Sequence, residues 1–457
     1  MTAALSEPAA ATDDRDPSPS KDDAPRQSRL MRLVALATRP GVLGIFGQAT
    51  LSAANFVTGV MLGRSCGDDC LGIYALAMTC VYIGVGVQTE LTSSPYHVYC
   101  IRRRSEALAR YTGSVLVHQA IILLALIAAT AAVLAATGQL EQLASVLLVL
   151  VWAGPLLVTR EFVRQMSFAR LQFRLAAILD VVAATVQVGS IGLLSLTGRL
   201  SPSTALASGA AAGAVTFGLW LFRHRRDISI TRAQVPVHWA RNFRFGRWTV
   251  ATYLVGSTLP FVMPWVLAVW HSQDAVGRLA ACNALIGLSY MFTTGIANAL
   301  TGQATRDFRT AGRDGLMRRL RQAAAIIAVV LVPFIAVVAL LGDWAVEFVY
   351  DADFAGLGHV SLVIAIGVLA SGLSMVAGNG LWAIERPQDG FVADVVTLLT
   401  AILLAVLLVP SHSVLGAAIA TVGGQIVGMA VRWVALRTAL DRLAERSGAS
   451  LRKAGRS

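Results

Sequence analysis

Residues 42–62 form one apolar run, 63–70 (GRSCGDDC) a short polar turn, and 71–93 a second apolar run ending at Arg102-Arg103-Arg104. The chain repeats this unit five more times. About 20 apolar residues cross the roughly 30 Å hydrocarbon layer of a bilayer. In lipid every backbone N–H and C=O must be paired within the protein, which leaves the helix as the natural spanning element for runs of this length. The remaining apolar runs lie at about 114–136, 144–158, 175–197, 204–222, 249–270, 279–300, 323–344, 360–384, 391–409 and 415–433. The expectation is an all-α polytopic membrane protein with 12 transmembrane helices.

Charge orients these spans. Of the 38 Lys and Arg, only Arg64, Arg199 and Arg278 fall in odd-numbered turns. Those turns carry Asp68, Asp69, Glu141, Asp274, Glu347, Asp351 and Asp353 instead. Basic residues collect on cytoplasmic loops, so the odd turns are expected outside and both termini inside, in a bacterial inner membrane. The net charge of +12 is then a property of cytoplasmic loops facing anionic membrane lipid, and no nucleic-acid partner is expected. Residues 1–28 are rich in Ala, Pro, Ser and Asp with no apolar core. They read as a disordered cytoplasmic tail and not as a signal peptide. Residues 239–248 (WARNFRFGRW) have the arginine–aromatic mixture of an interfacial helix, and 435–457 reads as a basic amphipathic cytoplasmic tail. Cys66 and Cys70 in the first turn leave two readings open, a disulfide or two idle thiols.

The chain also repeats itself. DCLGIYALA from Asp69 parallels DAVGRLAAC from Asp274, and FARLQFRLAAILDVV ending at Val182 parallels WAIERPQDGFVADVV ending at Val396. Both members of the second pair set an Asp-Val-Val (Asp180, Asp394) just inside the membrane. Six spans per repeat is an even number, so the two halves share an orientation and enclose a central cavity about an axis along the membrane normal. The expected organisation is a six-helix lobe at 29–222, a basic linker at 223–248 and a second six-helix lobe at 249–434.

Gly47-Gln48 and Asn55-Phe56 in the first span, LGIYALA from Leu71 to Ala77, Arg160-Glu-Phe-Val-Arg164 and Asp274-Ala-Val-Gly277 together resemble the polysaccharide-transporter, or O-antigen flippase, branch of the multidrug/oligosaccharidyl-lipid/polysaccharide exporter superfamily. The resemblance runs from about Arg39 to Trp433. It implies two six-helix lobes, alternating access, and export of an undecaprenyl-pyrophosphate-linked oligosaccharide for surface polysaccharide, with the polymerase and glycosyltransferases of that pathway as partners. Twelve spans, not the 14 of lipid II flippases, and the lack of an arginine in mid-span count against lipid II as cargo. An ion-coupled multidrug antiporter of the same fold is the alternative.

No HExxH, P-loop, GxSxG or paired CxxC stands in a suitable context, so no enzyme, catalytic residue, metal site or cofactor is expected. Arginine suits a diphosphate because its planar fork donates two parallel hydrogen bonds. If span four continues as one helix, Arg160, Arg164, Arg170 and Arg174 fall within an arc of about 120°, as a basic cytoplasmic mouth. Ordinary topology signals explain the same arginines. Gln48, Asn55, Gln88, Asn379 and Gln425 lie inside spans, where polar groups are costly, and are candidates for sugar hydroxyls or for helix–helix bonds. Glu90, Asp180 and Asp394 sit near cytoplasmic ends, where the two readings are proton or sodium coupling and pairing with arginine. Pro260 and Pro264 each remove a backbone donor from span seven and should bend it, as a gating hinge or as a passive kink.

Overall fold

The computed structural model describes residues 40–454 apart from Arg104, 137–140 and Leu288. The expected tail at 1–28 lies outside those residues. Every regular element among the described residues is helical, and together they make twelve arms. Lobe one holds α1 (40–66), α2 (68–100), α3 (Ser105–Ala136), α4 (Glu141–Ala169), α5 (Phe173–Leu196) and α6 (Pro202–His224). Lobe two holds α7 (Val235–Gly256, resuming at Leu259–Trp270), α8 (Gln273–Gly287, resuming at 290–311), α9 (313–350), α10 (Gly358–Ala383), α11 (387–412) and α12 (414–454). Eight helices, or nine counting bent α7, are long and apolar enough to cross a membrane when the α1–α2 and α11–α12 hairpins each count as one.

Single residues with positive φ make the reversals. Gly67 (φ 85°) parts α1 from α2 and Gly312 (φ 60°) parts α8 from α9. Without Cβ, glycine takes that conformation at no steric cost. Three further reversals use side-chain-bearing residues with positive φ: Ser413 (φ 46°) between α11 and α12 and, as a matched pair, Leu171 (φ 59°) between α4 and α5 and Glu385 (φ 60°) between α10 and α11. The hydrogen bonds of the matched pair coincide bond for bond. Gln172 N donates to Ser167 O and Leu171 N to Phe168 O; Arg386 N donates to Leu381 O and Glu385 N to Trp382 O. The longer bond in each pair is the six-to-one closure of a Schellman end. The internal repeat therefore extends to matching backbone turns.

Odd and even turns sort to opposite ends. Arg64 donates to the carbonyls of Phe348 and Val349, Arg278 Nε to Asp68 Oδ2 at 3.0 Å, His271 Nε2 to Val409 O at 2.7 Å, and Ser65 meets Ser195 at 3.3 Å. These contacts gather the described odd turns into one acidic end. At the basic end Cys100 reaches Ala169 O, His224 meets Gln172, Ser229 N donates to Ala109 O, and Arg313 pairs with Asp441. Cys66 and Cys70 form a disulfide across the first acidic-end turn, which resolves the two readings of that pair.

The lobes meet across paired glycines. A Cβ on Gly72 would stand 1.9 Å from Gln273 O, and one on Gly277 would stand 1.9 Å from Asp68 O. These reciprocal contacts between α2 and α8 mark the pseudo-two-fold relation that the repeat implies. The first half of α7 packs on lobe one, where Tyr111 donates to Asn242 Oδ1 at 2.9 Å, His118 to Val235 O at 3.0 Å, and His238 meets Ser114 at 2.8 Å. Arg103 lies 3.6 Å from the centroid of Tyr111, and its burial there holds the guanidinium below its ordinary value. Residues 235–248, read as linker, are thus continuous with α7.

Candidate functional site

A cavity of about 960 Å³ lies between the lobes, walled by α1 and α2 on one side and by α7, α8, α10, α11 and α12 on the other. Phe56, Met78, Tyr82, Phe261 and Met263 give it a greasy aromatic surface. Its only charged lining residues among those described are Asp394 and Arg432.

α7 shapes the wall by bending 50° at Ser257-Thr258. Pro260 has no N–H to return to Gly256 O, so the ladder breaks one turn before it. The helix restarts with Phe261 N and Val262 N both donating to Thr258 O. Both Pro260 and Pro264 line the cavity, and Trp265 Nε1 beside them donates across to Thr79 Oγ1 of α2 at 2.7 Å.

In lobe one the polar residues converge behind the cavity wall. Arg164 donates to Asp180 Oδ2 (3.2 Å), Glu161 Oε1 (3.3 Å) and Gln48 Oε1 (2.8 Å). The pair is nearly sealed, with Arg164 and Asp180 side chains 11% and 5% exposed. Gly47 of α1 makes room for it, since a Cβ there would sit 2.2 Å from Asp180 Oδ2. Arg160 Nη1 donates to Gln187 Oε1 at 3.0 Å, and Gln187 Nε2 donates to Thr58 Oγ1 (3.0 Å) and to Asn55 Oδ1 (3.2 Å). Asn55 lines the cavity. Arg160 makes no salt bridge among the described residues, and its Nε is buried without a hydrogen bond. Gln187 is deep inside α5, so Arg160 is a mid-span arginine. The expectation that no span holds one fails because α4 continues well beyond its apolar run, to Ala169.

The continuous four-arginine face does not form. α4 stops at Ala169 and Leu171 reverses the chain. Arg170 lies in the turn, donating to Tyr96 and to Thr112, each at 2.9 Å, and Arg174 belongs to α5. Arg174 instead borders a separate groove with Arg223, Leu43 and Phe173.

Gln88 donates to Thr92 (2.7 Å) and Ser93 (2.8 Å), closing a π-helical turn at Thr89–Ser93. Pro95 causes that turn, because Leu91 O loses its α-helical donor. Glu90 sits in it, its backbone against Gly246 of α7. Asn379 donates to Met375 O of its own helix at 3.1 Å. Gln425 lines the cavity.

Asp394 has the arginine partner that one of its two readings expects. It is near the basic end of α11 but faces the cavity, paired with Arg432 of α12, whose Nη1 also donates to Ser374 Oγ at 2.7 Å. Arg432, near the end of the twelfth apolar run, is not among the residues that the sequence singles out. The signal lay in the sequence, because the apolar run continues past it as Trp433-Val-Ala-Leu436.

Residues 249–407 match the family described as MatE. No curated protein matches. Among solved structures, the chain is similar to one described as the inward-facing conformation of a multidrug resistance MATE family transporter of the MOP superfamily, at 15% identity and TM-score 0.74, over 86% of this chain and 96% of that one. The corresponding outward-facing conformation gives 14% identity and TM-score 0.61, over 88% and 95%. The inward closed conformation of the lipid II flippase MurJ gives 14% and 0.69, over 86% of each chain. The fold is that of MATE and MOP-superfamily transporters.

Proposed function

We propose that this protein is a transporter of the MOP type that carries a lipid-linked oligosaccharide across the bacterial inner membrane, with the basic end cytoplasmic. One observation supports an anionic cargo above others. Arg160 is half-buried in mid-span behind the cavity wall, with no ion pair among the described residues and its Nε buried without a hydrogen bond. An unpaired buried charge costs several kcal/mol. Intramembrane charges of this kind mark substrate or ion pathways. A diphosphate arriving beside Asn55 supplies the missing anion, the cavity wall takes the sugar, and the gap between lobes leaves the polyprenyl tail in lipid.

In this reading Asn55 and Gln187 relay the position of Arg160 to the cavity, Arg164 and Asp180 hold α4 on α5, and the bend of α7 is the hinge about which lobe two moves. Glu90 is the candidate for ion coupling that has no arginine partner among the described residues, and the arginine-paired Asp180 and Asp394 are weaker ones. Polymerase and glycosyltransferases of a surface-polysaccharide pathway are the proposed partners.

The aromatic and methionine-rich wall supports a second reading, export of an apolar cation. The test separates the two. In a deletion strain, undecaprenyl-linked oligosaccharide should accumulate on the cytoplasmic leaflet, scored by lectin access in oriented vesicles, while cationic-dye efflux is unchanged. An unchanged leaflet distribution with lost dye efflux supports the second reading and overturns the first. Arg160→Lys at normal protein level should lower export, since lysine keeps the charge and loses the fork.

A further inference from the structure

The two lobes hold the same carboxylate in different ways. With Asp180 laid on Asp394, Arg164 falls on Gly378 and Gly218 falls on Arg432. Lobe one brings its arginine from its fourth helix and has glycine on its sixth. Lobe two has glycine on its fourth helix and brings the arginine from its sixth. The exchange changes what the arginine faces. Arg164 spends its donors on the buried Asp180, on Glu161 and on the exposed Gln48. Arg432 has two partners, Asp394 and the hydroxyl of Ser374, and all three residues line the cavity. The side chains of Arg432 and Asp394 are 19% and 21% exposed, against 11% and 5% in lobe one.

We propose that Arg432 is a cargo-binding residue and that Asp394 is the placeholder for the cargo's anion. The proposal rests on the lipid-linked-substrate reading and deepens it, by assigning a second phosphate contact in lobe two. A guanidinium partly withdrawn from water at the cavity wall is stabilised by an anion. Asp394 supplies one while the cavity is empty. A diphosphate carries more charge than a single carboxylate and accepts the same parallel pair of N–H donors, so it displaces Asp394 from the arginine. Ser374 keeps the side chain pointed into the cavity during the exchange. Gly256 leaves space on the other side of Asp394, a Cβ there standing 3.2 Å from its Oδ2. The paired Asp394 presents no free negative charge to an organic cation, so the placeholder also sets the sign of the cargo.

Direct binding to the purified full-length protein in phosphatidylcholine nanodiscs tests this, with farnesyl diphosphate as probe and farnesol as control. Arg432→Gln should weaken diphosphate binding at least tenfold. Asp394→Asn removes the competitor and should tighten it several-fold. Arg432→Lys should fall between wild type and Arg432→Gln, and farnesol should bind all forms alike. The double variant Arg432→Gln/Asp394→Asn leaves no buried charge unpaired and should bind as weakly as Arg432→Gln, which removes misfolding as an explanation. Binding that Asp394→Asn leaves unchanged or weakens overturns the placeholder. Binding that needs Arg160 and is indifferent to Arg432→Gln overturns the Arg432 assignment and leaves the transport reading standing. Failure of wild type and Asp394→Asn alike to bind the diphosphate overturns both.

Discussion

Lobe one and lobe two share a backbone plan down to the left-handed residue that ends the fourth helix of each, Leu171 and Glu385. They differ in what fills it. In lobe one the buried carboxylate, its arginine, a second acid and an amide from α1 form a closed set. In lobe two the equivalent carboxylate and its arginine open onto the cavity. Duplicated backbones thus hold one pair that stabilises and one that is free to exchange. The difference comes from which helix carries the arginine.

Removing each arginine should separate the lobes most. Arg164→Ala leaves Asp180 buried beside Glu161 without its paired arginine and should cost about 3–5 kcal/mol, the usual penalty for breaking a buried pair from one side. Arg432→Ala leaves Asp394 facing a cavity that water enters, so the loss should be clearly smaller. Thermal unfolding of the purified variants, followed by tryptophan fluorescence, reads both. Equal losses would break the comparison.

Next come the two glycines where the lobes touch. Gly72→Ala and Gly277→Ala each place a methyl 1.9 Å from a backbone carbonyl of the other lobe, and backbone cannot rotate away. Overpacking of this kind costs about 1–3 kcal/mol, and the reciprocal geometry predicts the same unfolding shift for both variants. Unequal shifts would mean that the contact is not symmetric.

The aspartate-facing glycines should differ. Gly47→Ala meets Asp180 Oδ2 at 2.2 Å and Gly256→Ala meets Asp394 Oδ2 at 3.2 Å. The first must push the carboxylate off Arg164, while the second needs only a small adjustment. Gly47→Ala should therefore lower the unfolding temperature by more, and the reverse order would refute the tight-versus-open contrast.

The smallest effects belong to the shared reversals. Left-handed geometry costs a non-glycine residue about 1 kcal/mol, and glycine gives most of that back through a looser unfolded chain. Leu171→Gly and Glu385→Gly should each raise stability by less than about 1 kcal/mol, in parallel. A gain at one and a loss at the other would show that the turns, too, have diverged.

Most of the architecture was legible because lipid allows few alternatives. A run of the right length with no charge has to cross, and each crossing inverts the side on which the next arginines fall. That reasoning placed Arg64 with the acidic turns and Arg170 with the basic ones, as found. The continuation of α4 through Arg174 misled, because nothing in Arg170-Leu-Gln marks a Schellman end. Leucine is an unfavourable residue for the left-handed position that it occupies there.

The sequence by itself determined the helices, their alternating direction, the duplication and the residues rich enough in donors to matter. Period, length and charge are local quantities, and the membrane reads them locally. Only the tertiary structure decided that Arg164 closes on Asp180 while Arg432, at the end of the last span, faces the cavity with Asp394. It also decided that Arg160 stands in mid-span with its Nε unbonded. Such pairings depend on rotation about each helix axis and on which neighbour supplies the partner, and packing of all twelve helices fixes both.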